Sequence, residues 1–158
     1  MNSMQKTLVI VSGYFNPIHT GHIHLIKSAR ELGDKLLVIV NNDEQQTLKK
    51  GKIIMDQWNR MDVVQTLRDV DEAVLSIDAD RTVVKTLEKI ARIYTSDDFT
   101  MLFGEFRMIF ANGGDRDSEK AIPETEVCNT YGIKMQFGIG GTDKTFSSSE
   151  INKRRGAE

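Results

Sequence analysis

The stretch Gly13-Tyr14-Phe15-Asn16-Pro17-Ile18-His19-Thr20-Gly21-His22 constrains the fold of this chain through what lies on either side of it. Before it, Leu8-Val9-Ile10-Val11 is short, apolar and β-branched, as expected of a buried strand. After it, apolar residues recur at Ile23, Ile26, Ala29 and Leu32, and Gly33 stands where a helix would stop. A strand, a Gly/Pro turn and a helix in that order aim the helix's free N–H groups and positive dipole end at the turn, which suits a polyphosphate. His19 precedes the helix and His22 lies in its first turn, so both rings can approach one ligand. Gly21 between them has no Cβ to hold a phosphate or sugar away from the backbone. Each imidazole can donate a hydrogen bond to a phosphoryl oxygen.

The run Leu36-Leu37-Val38-Ile39-Val40 predicts a second buried strand, which completes a right-handed βαβ unit. The motif loop then sits at the carboxyl end of the first strand, where open parallel sheets bind ligands. Residues Glu44 to Met55 are polar, with Lys49, Lys50 and Lys52 around Gly51, and show no clear periodicity, so a mobile loop is expected. A helix follows from about Asp56 to Val70, with Asp56 as N-cap and Trp58, Met61, Val64 and Leu67 on its apolar face. Trp58 reads as core.

Asp71 to Ile77 gives a third strand and Thr82 to Ala91 a third helix. Tyr94 to Phe106 holds more apolar surface than a connection needs; extra helix and subunit contact both stay open. Met108 to Ala111 is a fourth strand running into Asn112-Gly113-Gly114-Asp115-Arg116, where paired glycines permit close backbone approach to a ligand. Pro123 fits a first helical turn, Val127, Cys128 and Tyr131 continue that helix, and Ile133 to Ile139 alternates as a fifth strand. Cys128 reads as a small buried hydrophobe. Ser147 and Glu150 make a capping box for a last helix.

At 158 residues the chain, 1–158, is expected to be one domain. A net charge of −2 argues against an electrostatically driven nucleic-acid binder. No apolar run approaches the roughly 20 residues of a membrane span, the amino terminus is too short and polar for a secretory signal, and the single cysteine forms no intramolecular disulfide. A cytoplasmic setting without nucleic-acid or membrane partners is expected. A homodimer is a possible assembly.

The motif from Phe15 to His22 resembles the His-x-Gly-His signature of the nucleotidyltransferase superfamily, whose cytidylyltransferase-like members share a Rossmann-type fold. It is also similar to nicotinate-nucleotide and phosphopantetheine adenylyltransferases. The resemblance implies an α/β fold, a single Rossmann-like three-layer domain with five parallel strands in the order 3-2-1-4-5. It implies nucleotide contacts from Gly13, Tyr14, Phe15, Asn16 and Gly21, with His19 and His22 stabilising the pentacoordinate phosphoryl. The lysine-containing stretch and following helix resemble glycerol-phosphate cytidylyltransferases and heptose-phosphate adenylyltransferases, implying phosphate contacts from Lys50 and Lys52 and a substrate contact from Arg60.

The Gly-Gly-Asp turn resembles the same enzymes, implying that Asn112, Gly113, Asp115 and Arg116 line the nucleotide pocket, with Asp115 orienting the loop or a hydroxyl. Thr145 to Ile151 resembles the superfamily's Ile-Ser-Ser/Thr-Thr motif, implying that Ser147, Ser148 and Ser149 hold the β and γ phosphates. Gly140 to Lys144 departs from the Arg-Thr-Glu-Gly lead-in of the cytidylyltransferases, and Lys144 can supply the missing charge from another position. The implied reaction joins a nucleoside triphosphate to a phosphorylated alcohol, polyol or sugar by direct in-line attack, with Mg²⁺ brought by the nucleotide. No metal ligands are expected from the chain. CTP is the first choice of donor; ATP with a sugar phosphate or mononucleotide is the second, and a nucleotide-sensing module without turnover the third.

Overall fold

A computed structural model of the chain describes residues 5–49, 51–113 and 122–140. Five parallel strands form one sheet in the order β3-β2-β1-β4-β5. They are β1 (Lys6–Gly13), β2 (Lys35–Val40), β3 (Glu72–Leu75), β4 (Phe106–Gly113) and β5 (Lys134–Ile139). The order expected from the resemblance is the order observed. β1 is central, and Leu8, Val9, Ile10 and Val11 are fully buried because both faces of the sheet are covered.

Alternation along β1 divides the core in two. Val9 and Val11 pack with Ile26 and Ala29 of α1 (Thr20–Arg30) and Met61 and Val64 of α3 (Gln57–Thr66). Leu8 and Ile10 pack on the other face with Leu87 and Ile90 of α4 (Val84–Tyr94) and Val127 and Cys128 of α6 (Thr125–Tyr131). The side-chain period of two along a strand sends neighbours to opposite layers. Three layers result, with the motif loop leaving the central strand at its carboxyl end. No helix among the described residues is long and apolar enough to cross a membrane.

Three sequence expectations need correction or completion. The stretch expected to be a loop begins with a helix, α2 (Asp43–Leu48), closed by a capping box between Asn42 and Gln45. Its inward residues are Gln45 and Gln46, both buried, so apolar periodicity could not reveal it. Trp58 is 62% exposed rather than core. The inward face of α3 is set by Gln57, Arg60, Met61 and Val64 at helical spacing, and Trp58 falls outside it. The apolar stretch between α4 and β4 contains α5 (Asp97–Phe103), capped by Ser96, which tucks Phe99 against Tyr94 and Phe106 and leaves Met101, Leu102 and Phe103 exposed.

Candidate active site

The two motif histidines cap their own helix. His19 is the N-cap of α1, in extended backbone conformation; its Nδ1 accepts the Gly21 amide at 3.0 Å, and Nδ1 of His22 accepts the His19 amide at 3.2 Å. This reciprocal arrangement is the capping box with imidazoles in place of the usual hydroxyl and carboxyl. The rings stack with centroids 3.8 Å apart. A ring nitrogen that accepts an amide proton carries none itself, so in both neutral rings the proton sits on Nε2.

Electrostatics act in the same direction. Burial, with the charges of His19 and Lys49 adding, lowers the His22 imidazole to about 3, and desolvation lowers His19 as well. Both rings are therefore neutral near pH 7, each with an Nε2–H that no described residue accepts. Two stacked rings with Nε2–H donors at the positive end of a helix dipole form an anion site made in advance.

Phe15 supports the pair from below. It is buried in the left-handed region at φ 55°, with its ring edge-on to His22 at 4.8 Å. A Cβ on Gly13 would stand 2.8 Å from the Phe15 ring, so glycine is required there for the ring to reach the histidine. Asn16, buried and joined to Pro17 by a cis peptide, ties a second segment to the motif. Its Nδ2 donates to the Lys52 carbonyl at 2.9 Å, and its Oδ1 accepts the Ile54 and Met55 amides at 2.8 and 3.0 Å. Phe15 and Asn16, expected at the nucleotide, thus shape the motif from within.

Arg60, expected to reach substrate, is instead fully buried. Its Nε donates to the Met55 carbonyl at 2.8 Å, Nη1 to Tyr14 and Asn41 carbonyls at 2.7 and 2.6 Å, and Nη2 to Asp43 Oδ1 at 2.7 Å. The guanidinium fork braces the motif loop, the end of β2, the start of α2 and the segment before α3. Gln45 plays a parallel part. Its Oε1 accepts from Asn41 and Asn42, and its Nε2 donates to the Asp80 and Thr82 carbonyls at 2.7 and 2.8 Å.

These braces frame a cavity of about 260 Å³ over the carboxyl ends of β1 and β4, lined by Ser12, Gly13, Tyr14, Asn41, Lys49, Arg81, Asn112, Gly113 and Glu124 among others. Lys49 lays its ammonium 4.3 Å from the centre of the Tyr14 ring, and its pKa is lowered by desolvation and by the charge of Arg81. Asn112 Nδ2 donates to the Phe110 and Gln136 carbonyls at 3.3 and 3.4 Å. Over Gly113 a Cβ would meet nothing nearer than Leu25 Cδ1 at 3.9 Å. Lys52 is exposed and takes part through its carbonyl. Lys50, Asp115, Arg116, Lys144, Ser147, Ser148 and Ser149 lie outside the described residues.

Sequence reasoning missed Arg81 and Glu124 and gave Lys49 no role of its own. Arg81 stands in Asp80-Arg81-Thr82, which reads as an ordinary helix start, and nothing local marks its side chain as facing the cavity. Cys128, behind Glu124, has its thiol pushed up to about 12 by burial, with the Glu124 charge adding, so it is no nucleophile at neutral pH.

The sheet order and the histidine-started helix at the strand-order reversal agree with a family model. That model, described as cytidylyltransferase-like, matches residues 10–137, and the chain belongs to this family, within the nucleotidyltransferase superfamily. Among curated relatives, the FAD synthase of Pyrococcus horikoshii is 43% identical over 76 residues, covering 48% of this chain and 51% of the relative. The FAD synthase of Thermoplasma acidophilum is 39% identical over 85 residues, 52% of this chain and 59% of that protein. The chain thus spans about half the length of the curated relatives it matches. Among solved structures, the lipopolysaccharide core biosynthesis protein of Thermoplasma volcanium superposes with a TM-score of 0.63 at 26% identity, covering 84% of this chain and 94% of that one.

Proposed function

We propose that the chain transfers an adenylyl group from ATP to a phosphate monoester, with flavin mononucleotide as the acceptor to test first. The observation that carries the transfer reading is the capped histidine pair, which presents two Nε2–H donors beside the amino end of α1. The acceptor phosphate is already an anion and a nucleophile. One of its oxygens attacks the α-phosphorus, the bond from that phosphorus to the bridging oxygen breaks, and pyrophosphate leaves with the electron pair. No proton has to move and no covalent enzyme intermediate is needed, so positioning and charge stabilisation suffice.

In this scheme His19 and His22 donate to the α-phosphoryl oxygens, where negative charge builds up in the transition state, and they need not reorganise to do so. Lys49, which lines the cavity over the carboxyl ends of β1 and β4 and whose charge acts on His22, takes the part that Lys50 and Lys52 were expected to fill, holding phosphate oxygens. Arg60, Asn16 and Gln45 keep the frame rigid. Among the described residues no group of three His, Cys, Asp or Glu side chains is placed to hold a metal ion. A Mg²⁺ carried by the nucleotide's own phosphate oxygens would neutralise the charge of the leaving group.

The donor assignment moves from the first sequence choice to the second. FAD contains an adenylyl group joined through a pyrophosphate to a flavin phosphate, so relatives that are FAD synthases favour ATP and a mononucleotide acceptor over CTP and a polyol phosphate. The open space over Gly113 suits a purine. Pyrophosphate release should be measured with ATP, CTP, GTP and UTP against flavin mononucleotide, glycerol 3-phosphate and a set of sugar phosphates. ATP with flavin mononucleotide should be the fastest pair, and CTP with a polyol phosphate being fastest would restore the cytidylyl reading. No release with any pair would leave a nucleotide-sensing module.

A further inference from the structure

Arg81 is the feature of the cavity that the transfer scheme leaves unexplained. It stands in the turn between β3 and α4, in the half of the sheet away from β4. Both flanking carbonyls, those of Asp80 and Thr82, are held by the buried Gln45 side chain. The Asp80 carboxylate is engaged by Thr82, accepting its amide at 2.9 Å and its hydroxyl at 2.6 Å, which holds Asp80 below the usual carboxylate range. Glu124, also in the cavity wall, accepts the Val83 amide through Oε1.

Two cations, Lys49 and Arg81, line the cavity together. The charge of Lys49 acts on His22, and the charge of Arg81 acts on Lys49. Neither Lys49 nor Arg81 forms an ion pair among the described residues. Two cations that repel each other, on a backbone tied down by buried hydrogen bonds, are a site that an anion completes. The histidine end belongs to the α-phosphate of the donor. In-line displacement puts the attacking and leaving oxygens on opposite sides of that phosphorus, and the Lys49 and Arg81 side is assigned here to the attacking group.

We propose that Arg81 is the residue that selects a phosphorylated acceptor, its guanidinium binding the non-bridging oxygens of the acceptor phosphate beside the Lys49 ammonium. This rests on the transfer reading above. A planar guanidinium suits the task because it offers paired donors to a phosphate. An acceptor bearing only a hydroxyl would leave both cations unmatched and would be rejected.

The probe is inorganic phosphate, titrated calorimetrically into protein saturated with Mg²⁺ and the α,β-methylene analogue of ATP or CTP, so that the donor side is filled. Wild-type protein should bind phosphate. Arg81→Met should weaken it by about tenfold or more, the value of one charge-assisted contact, and Arg81→Lys by less. Affinity for the nucleotide analogues should stay within about twofold by the same scale. Arg81 is exposed and its side chain has no described internal partner, so both variants should melt with the wild type. Equal phosphate affinity in wild type and Arg81→Met, no phosphate binding in the wild type, or an equal loss for the nucleotide analogue would each overturn the assignment. The transfer reading fails separately: no pyrophosphate release with any substrate pair, alongside an intact Arg81 effect on phosphate, refutes transfer and leaves the anion site.

Discussion

Two polar clusters meet at the carboxyl end of the sheet, and they use their hydrogen-bonding capacity in opposite ways. Around Arg60, Asn16 and Gln45, side chains are buried and bonded to chain carbonyls and amides and to the Asn41 and Asp43 side chains, so polar groups act as braces. Around His19 and His22, only one nitrogen of each ring is used internally, and the other keeps a donor that no described residue accepts. A braced group cannot bind a ligand without leaving a buried partner behind. A half-used group can bind one at little cost. The difference separates frame from site more sharply than residue type does.

The contrast can be broken first at Arg60. Replacing it by methionine leaves Asp43 and three backbone carbonyls without their donor, and urea unfolding should show a loss of about 3 to 5 kcal/mol, as when one partner of a buried ion pair is removed. A loss below that of a surface substitution would mean that Arg60 is free to bind substrate after all. His22→Ala should behave in the reverse manner. Turnover with the true substrate pair should fall about a hundredfold to a thousandfold, while the missing cap lowers stability by only about 1 kcal/mol. Near-normal turnover would remove the histidines from the chemistry.

Asn16→Ala sharpens the contrast by releasing the Lys52–Met55 segment while leaving the histidines in place. The hydrogen bonds to Lys52, Ile54 and Met55 are lost, with an expected cost of about 1 to 3 kcal/mol, and hydrogen exchange at the Ile54 and Met55 amides should accelerate selectively. Unchanged protection there would show that Asn16 is no brace. The smallest effect is on pH dependence. Folding lowers the His22 pKa from 6.5 to about 3, so its contribution is full above about pH 6.5 and is lost as pH falls toward 3, where the unfolded chain binds the proton more readily. Between pH 7 and pH 5 wild type should therefore lose stability relative to His22→Gln. Parallel curves would show that His22 does not titrate in that sense.

The strands and the main helices were legible because apolar periodicity reports burial directly. α2 was not, since the residues it buries are Gln45 and Gln46, and Trp58 misled because a large aromatic suggests core wherever the helix phase is uncertain. The histidine pair was legible from its position between a strand and a helix. Its capping geometry and the tautomer that follows were not, because a capping box is normally read from hydroxyls and carboxyls. Arg60 and Arg81 show what sequence lacks: one arginine stands in a motif yet faces the interior, the other stands in an unremarked turn yet faces the cavity.

In the proposed reaction His19 and His22 act as neutral Nε2–H donors to a nucleotide phosphate. Nitrogen-15 NMR of the imidazoles tests this, with His24 on the same helix as an internal control. At pH 7 both His19 and His22 should carry their proton on Nε2 alone, and ATP or CTP with Mg²⁺ should shift those two Nε2–H resonances while His24 stays put. A proton on Nδ1 of either ring, or a nucleotide response no larger than that of His24, would contradict it.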